Sequence, residues 1–233
     1  ETLRLAGTHV EGPGLDALTA LPNLHELDLG ATRIDDHSMP AVAKLTQLTS
    51  LRLSYAEISD AGMKHLTTLD KLESLHLAGT DIADESLTHI AKLTRLRELN
   101  INQGRFTDES LAALKPLSQL ERISMFRTKA GNAAAGTLAT LKNLKSLTLD
   151  YTAVDDTGLA ALQALPQVSE LSIDNTNVTD KSIPSLKAMS SLNSLNLYHT
   201  LVSEKGYQEL KQSLPACKIV FDRDSALPNR RTR

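Results

Sequence analysis

Asp150 and His199 are the residues in this chain whose types come nearest to acid–base chemistry, and Thr148 and Ser172 place hydroxyls close by in the sequence. A carboxylate, an imidazole and a hydroxyl are the groups from which a nucleophilic hydrolase is assembled, provided the fold holds them in contact and keeps water out. His65 and His89 suggest a different chemistry, a pair of imidazoles on one metal. They come without a placed carboxylate or thiolate, so they fall short of a zinc site and read as solvated surface histidines. Charge gathers as well: Arg105, Arg122, Arg127 and Lys129 precede Asp150, Glu170 and Asp174, a basic zone set against an acidic one. The interval of 24 residues separates His65 from His89 and Asp150 from Asp174, and that recurrence decides how the candidates must be read.

Aligned on the first leucine, copies of one pattern start at Leu21, Leu45, Leu69, Leu93, Leu117, Leu141, Leu165 and Met189, with no insertion or deletion. The pattern is L-x-x-L-x-x-L-x-L-x-x-T-x-I-x-D-x-x-L-x-x-L-x-x. Its seven apolar places hold a hydrophobic residue in every copy. The chain opens inside a further copy, since Leu3, Leu5, Thr8, Val10, Leu15 and Leu18 fill the expected places. It therefore reads as a fragment of a larger protein whose earlier residues lie before Glu1. Residues 1–221 are expected to form one repeat domain, with a partial copy over 1–20 and a last strand over 218–221. A polar, basic tail over 222–233 is expected to be disordered.

The spacing converts to geometry. Leu-x-Leu at the seventh and ninth places alternates with period two, as a short strand with one buried face does. Asp at the sixteenth place precedes apolar residues spaced by three, as in Asp156, Leu159 and Leu162, which predicts a capped helical turn. One such unit cannot bury its own apolar side, but stacked units can. The result is a curved α/β solenoid with a parallel sheet inside and short helices outside. A column of threonines, Thr8, Thr32, Thr80, Thr128, Thr152, Thr176 and Thr200, falls where the chain leaves the strand and could satisfy backbone groups at the bend.

These residues resemble the leucine-rich repeat, and "ISDAGMKHL" (58–66) and "VDDTGLAAL" (154–162) resemble its bacterial Thr-type form, in the ribonuclease-inhibitor-like branch. The resemblance covers residues 1–221 and implies a horseshoe whose concave sheet recognises other proteins. Threonine stands where the family usually carries asparagine. The resemblance says little about activity, because the fixed residues of the repeat are structural.

If the fixed residues build the frame, the variable ones must carry any specificity. The eighth, tenth and eleventh places are read as outward-facing, flanked by the sixth and thirteenth. Four of the seven aromatic residues, Tyr55, Phe126, Tyr151 and Tyr198, fall in these places, where aromatic and arginine side chains serve as interface anchors. With neighbouring strands about 4.8 Å apart, Phe126, Arg127 and Tyr151 should touch. Asp150 and Asp174 should lie side by side, and like charges so placed repel unless neutralised, for instance by a partner's cation. The candidate contact set on the concave face is Arg122, Phe126, Arg127, Lys129, Asp150, Tyr151, Asp174, Asn175, Tyr198 and His199. The fifth copy departs furthest from the pattern, with Ala130 and Ala135 in place of large apolar residues and Asn132 in place of Asp. It is expected to be the weakest internal link, opening first over residues 128–138.

Composition excludes several classes. Net charge is −3 without a basic stretch in the body of the chain, which argues against nucleic-acid binding. No apolar run approaches the roughly 20 residues that span a bilayer. Cys217 is the single cysteine, so no intramolecular disulfide forms, and it assigns no compartment. In an open trough nothing would exclude water from Asp150 and His199, so no enzyme, cofactor or metal is expected. The sequence reads as a monomeric, non-catalytic protein-recognition module. A structural spacer within a larger protein and a glycan-binding surface remain as alternatives.

Overall fold

A computed structural model describes residues 1–226. Ten three-residue strands form one sheet in sequence order: β1 (Thr2–Arg4), β2 (Glu26–Asp28), β3 (Ser50–Arg52), β4 (Ser74–His76), β5 (Glu98–Asn100), β6 (Arg122–Ser124), β7 (Ser146–Thr148), β8 (Glu170–Ser172), β9 (Ser194–Asn196) and β10 (Lys218–Val220). Every pairing is parallel and keeps register, so Leu27 pairs with Leu51, Leu51 with Leu75, and so on to Leu195 with Ile219. Opposite the sheet stand short helices, α1 (Met39–Val42), α2 (Asp60–Met63), α3 (Asp84–Ile90), α4 (Asn132–Leu138), α5 (Asp156–Leu162), α6 (Ile183–Ala188) and α7 (Glu204–Ser213), with tighter turns over Gly12–Ala20 and Ser110–Leu114. The apolar places of the repeat are the core: of the eight full copies, only Leu21 and Tyr207 fall outside the buried set.

The strand-exit bend is built as the threonines suggest. Thr8, Thr32, Thr80, Thr128, Thr152, Thr176 and Thr200 each donate the side-chain hydroxyl to the carbonyl three residues earlier, at 2.6 to 2.8 Å. The sheet ladder also continues past the strands, because the amides at the eleventh places from Gly7 to Asn175 donate to the tenth-place carbonyl of the next copy, as Arg127 does to Asp150 and Tyr151 to Asp174. To make that bond the eleventh residue turns left-handed. Gly7 and Gly79 do so freely, but Ala31, Tyr55, Gln103, Arg127, Tyr151, Asn175 and His199 also sit at φ between 50° and 63°.

The aspartate column works between copies. Expected to cap its own helix, Asp156 instead accepts from the amide and hydroxyl of Thr179 and from the hydroxyl of Ser182, all in the following copy. Asp60 does the same with Ala83 and Ser86, Asp180 with Ser203, and Asp108 takes three amides, those of Gly131, Ala133 and Ala134. The helix caps proper are the residues one place earlier or in the next copy, such as Asp155, Ser59 and Thr179. Room for the incoming carboxylate comes from a small residue in the next copy. A Cβ on Gly62 would lie 2.4 Å from Asp36 Oδ1, and one on Gly206 2.4 Å from Asp180 Oδ1.

The fifth copy is matched by its neighbour. Phe106, wholly buried, holds the place that Ala130 holds one copy later, so a large side chain stands beside a small one in the same column. The ring needs a bare neighbour too: a Cβ on Gly104, at a threonine place, would lie 2.1 Å from it. Asn132 substitutes for Asp in the inter-copy column, accepting from the amides of Asp155 and Gly158 and donating to Asp155 Oδ1.

At the end of the described chain, Tyr207 and Phe221 stack with centroids 4.5 Å apart. Residues 222–226, which the sequence reading places in the tail, form a turn there. Ser225 is buried and its hydroxyl donates to the carbonyls of Thr200 and Asp222. The rest of the expected tail, 227–233, lies outside the described residues.

Candidate functional site

The tenth and eleventh places lie beyond the strands, so the residues there occupy a rim along the C-terminal edge of the sheet, while the eighth-place residues stay on its floor. Place-ten amides have no ladder partner, and polar side chains take them up. Asp28 accepts from Gly30, Asn100 from Asn102, Asn102 from Phe126, Asp150 from Asp174 and Asn196 from Tyr198, at 2.7 to 3.1 Å. Several Asn and Asp residues that look like ligand groups are therefore backbone acceptors.

On this rim Phe126 and Tyr151 meet edge to face, with centroids 5.3 Å apart and planes at 71°. The Arg127 guanidinium carbon lies 5.1 Å from both centroids. Cation–π attraction of this kind contributes about 0.5 to 1 kcal/mol at an exposed site. The expected contact among the three residues is thus present. Next along the rim, His199 Nδ1 lies 3.2 Å from Asp174 Oδ1, and the His199 and Tyr198 rings are 3.9 Å apart. Asn175 is exposed between them in the sequence order of the rim, in the same left-handed bend.

Burial pushes the Asp150 carboxyl above its ordinary value, hydrogen bonds from Ser172 and the Asp174 amide pull it back, and the neighbouring Asp174 charge adds to the rise. Asp174 is also raised, chiefly by burial, against the pull of His199. The Asp174 charge is the smallest contribution at Asp150, well behind burial. Donors within the fold offset only part of the rise: Ser172 and the Asp174 amide at Asp150, and His199 at Asp174.

The basic zone does not form as a unit. Arg105 pairs with Asp81 at 2.6 Å and Arg122 with Glu98 at 3.0 Å, so both are occupied. Arg122 opens β6, at the opposite end of the strand from Phe126 and Arg127. Lys129 lies past the bend, where its charge helps hold Asp84 in the ionised form. Of the ten candidate residues, eight line the rim and Arg122 and Lys129 stand apart. His89 corrects another expectation. Its side chain is only 17% exposed, and both ring nitrogens are buried without a hydrogen-bond partner among the described residues.

One surface was not singled out in the sequence. The floor of the sheet from β1 to the start of β5 carries an open trough of about 550 Å3 lined by Arg4, Glu26, Asp28, Arg52, Glu73 and Glu98, among others. Nearby, His76 Nε2 lies 3.3 Å from Glu98, and burial holds His76 below its ordinary value. Alternation of sign down the eighth place, Arg4, Asp28, Arg52, was the available signal.

A leucine-rich repeat region is matched over residues 3–225. The chain belongs to the leucine-rich repeat family. No curated protein matches it. Among solved structures, this leucine-rich repeat chain is similar to internalin C2 of Listeria monocytogenes, with TM-score 0.69 and 25% identity, over 83% of this chain and 79% of that one. It is also similar to an internalin, InlF, of the same species, at TM-score 0.54 and 19% identity, over 97% and 84% of the two chains. A leucine-rich repeat protein of Leptospira interrogans aligns at TM-score 0.56 and 17% identity, over 88% of this chain and 62% of that one. The last two likenesses show the fold alone. Leucine-rich repeats are a common protein–protein interaction module, and these bacterial relatives are repeat proteins of a generally non-catalytic kind. No helix among the described residues is long and apolar enough to cross a membrane.

Proposed function

We propose that this leucine-rich repeat chain is a monomeric, non-catalytic module that binds a partner protein through the rim of its concave side, over the fifth to eighth copies. The observation that carries the reading is the Phe126–Arg127–Tyr151 cluster, which gathers two rings and a guanidinium on the surface of a protein with few aromatics. Recognition rests on a few well-packed anchors of this composition, surrounded by polar contacts that fix register. Tyr151 and Tyr198 are among the few large hydrophobic side chains left exposed, and Asn175 and His199 supply the polar surround. A catalytic set is not supported, because the Asp150 carboxyl is committed to the Asp174 amide and the site is an open edge.

The test is quantitative affinity capture from cells of the source bacterium with three baits: the parent, the double variant Phe126→Ala/Tyr151→Ala, and a control changed at the convex surface, Lys64→Ala/Lys92→Ala. A partner held by parent and control but released by the double variant supports the reading. Partners retained equally by all three would place the contact elsewhere and leave the rings as cover for the sheet edge.

A further inference from the structure

Arg127 differs from the arginines on either side of it in the repeat. Arg105 and Arg122 each meet a carboxylate, whereas no hydrogen bond or ion pair engages the Arg127 guanidinium among the described residues. Two rings set at 71° to one another nonetheless favour one position for it, each with its centroid 5.1 Å from the guanidinium carbon. Attraction to a ring uses no hydrogen-bond acceptor, so the N–H donors of the guanidinium stay available to a ligand. The backbone pays for this placement once more: Arg127 and Tyr151 both stand at left-handed φ, 53° and 56°, in a bend that accepts Gly7 and Gly79 without strain.

The nearby acids do not compete for it. Asp150 Oδ1 accepts from the Asp174 amide at 2.8 Å, and Asp174 Oδ1 lies 3.2 Å from His199 Nδ1. The cluster therefore presents one unpaired, pre-positioned cation on an aromatic seat. A planar carboxylate is the group that matches this fork in two parallel hydrogen bonds. Resting on the reading of the rim as a protein-binding surface, we propose that Arg127 is its specificity anchor and takes the side-chain carboxylate of an Asp or Glu in the partner. A side chain is favoured over a chain terminus because the rim is an open edge, with further copies continuing on both sides and no wall against which a chain would end.

The experiment is selection of a displayed library of random twelve-residue peptides, free of a terminal carboxylate, on the parent chain. Counter-screens use Arg127→Gln, Arg127→Lys and Phe126→Ala/Tyr151→Ala. Peptides lost on the double variant should share an Asp or Glu, and amidating that acid to Asn or Gln, or making Arg127→Gln, should each weaken binding about tenfold or more. Combining the two should cost little beyond either alone, and Arg127→Lys should recover only part, since an ammonium lacks the fork. Rim-dependent peptides that lack a shared acid, or that bind Arg127→Gln as tightly as the parent, would overturn the anchor while leaving the rim as a protein site. Absence of any rim-dependent peptide, with glycans on an array binding in a Tyr151-dependent way, would overturn both readings.

Discussion

Asp150 and Asp156 belong to one copy of the repeat, one on the rim and one in the frame, and the fold shifts their carboxyls in opposite directions. Both are disfavoured as anions by burial. For Asp156 the hydrogen bonds from Ser182 and Thr179 outweigh it and the carboxyl is held low; for Asp150 the donors fall short and the carboxyl is held high. Asp84, helped first by Ser110, follows the frame pattern, and Asp174 follows the rim pattern. The frame is thus a place where each charge has been given donors by the next copy. On the rim, side chains are held at some cost, in buried charge and in left-handed backbone at Arg127 and Tyr151. The partial copy and the first three full copies show how little the frame itself asks of the rim: their tenth and eleventh residues are Ala6–Gly7, Gly30–Ala31, Ser54–Tyr55 and Ala78–Gly79.

If frame and rim are separable in this way, changes in one should alter stability and changes in the other should alter binding. The largest effect is expected in the frame. Phe106→Ala opens a space beside Ala130 and Gly104 and should cost about 3 to 5 kcal/mol in chemical denaturation. A cost below about 1 kcal/mol would mean that the neighbouring copies close over the gap. Next, Phe126→Ala/Tyr151→Ala should remove about 2 to 4 kcal/mol of partner binding, with a much smaller change in melting temperature than Phe106→Ala produces. An equal loss of stability would make the rings part of the core after all. Tyr151→Gly, which relieves the left-handed bend, should raise stability by up to about 1 kcal/mol while weakening binding.

The smallest effect separates the acids. Asp150 ionises less readily in the fold than in the unfolded chain, so its charge costs stability once the pH has risen through its raised folded value. Asp150→Asn keeps an acceptor for the Asp174 amide and removes that charge, so it should melt slightly higher than the parent at pH 7. The advantage should disappear below the ordinary carboxylate value of 3.8. Asp156 has the opposite sign: its contribution is full above that value and is lost as the pH falls through its lowered folded one. Asp156→Asn should therefore melt lower than the parent at pH 7, with the gap closing in acid.

Much of the frame was legible because one residue type recurs wherever one physical demand recurs. Leucine places gave the strands and their register, and the threonines gave the bend. The left-handed turn was hidden, since only Gly7 and Gly79 of the nine eleventh-place residues declare it, while Tyr55, Gln103 and Arg127 adopt it under the pull of the ladder bond. A single copy also cannot show which neighbour an aspartate faces. The signal lay one copy on, in the small residues Gly62, Ser86, Ser182 and Gly206 that receive it. The same holds for Ala130, which looks like a defect alone and a fit beside Phe106 and Gly104. On the rim, the Phe126–Arg127–Tyr151 contact followed directly from register. The commitment of Asp150 and Asn102 to backbone amides did not, because unpaired amides at the tenth place are a property of the bend.

The separation of rim from frame is tested most directly by cross-saturation NMR on the labelled chain bound to a captured, unlabelled partner. Saturation transferred from the partner should be strongest at residues 126–127, 150–151 and 198–199, and weak at 6–7, 30–31 and 78–79 on the sparse half of the rim. Transfer centred instead on the first four copies, or on the convex helices, would contradict the assignment of recognition to the fifth to eighth copies.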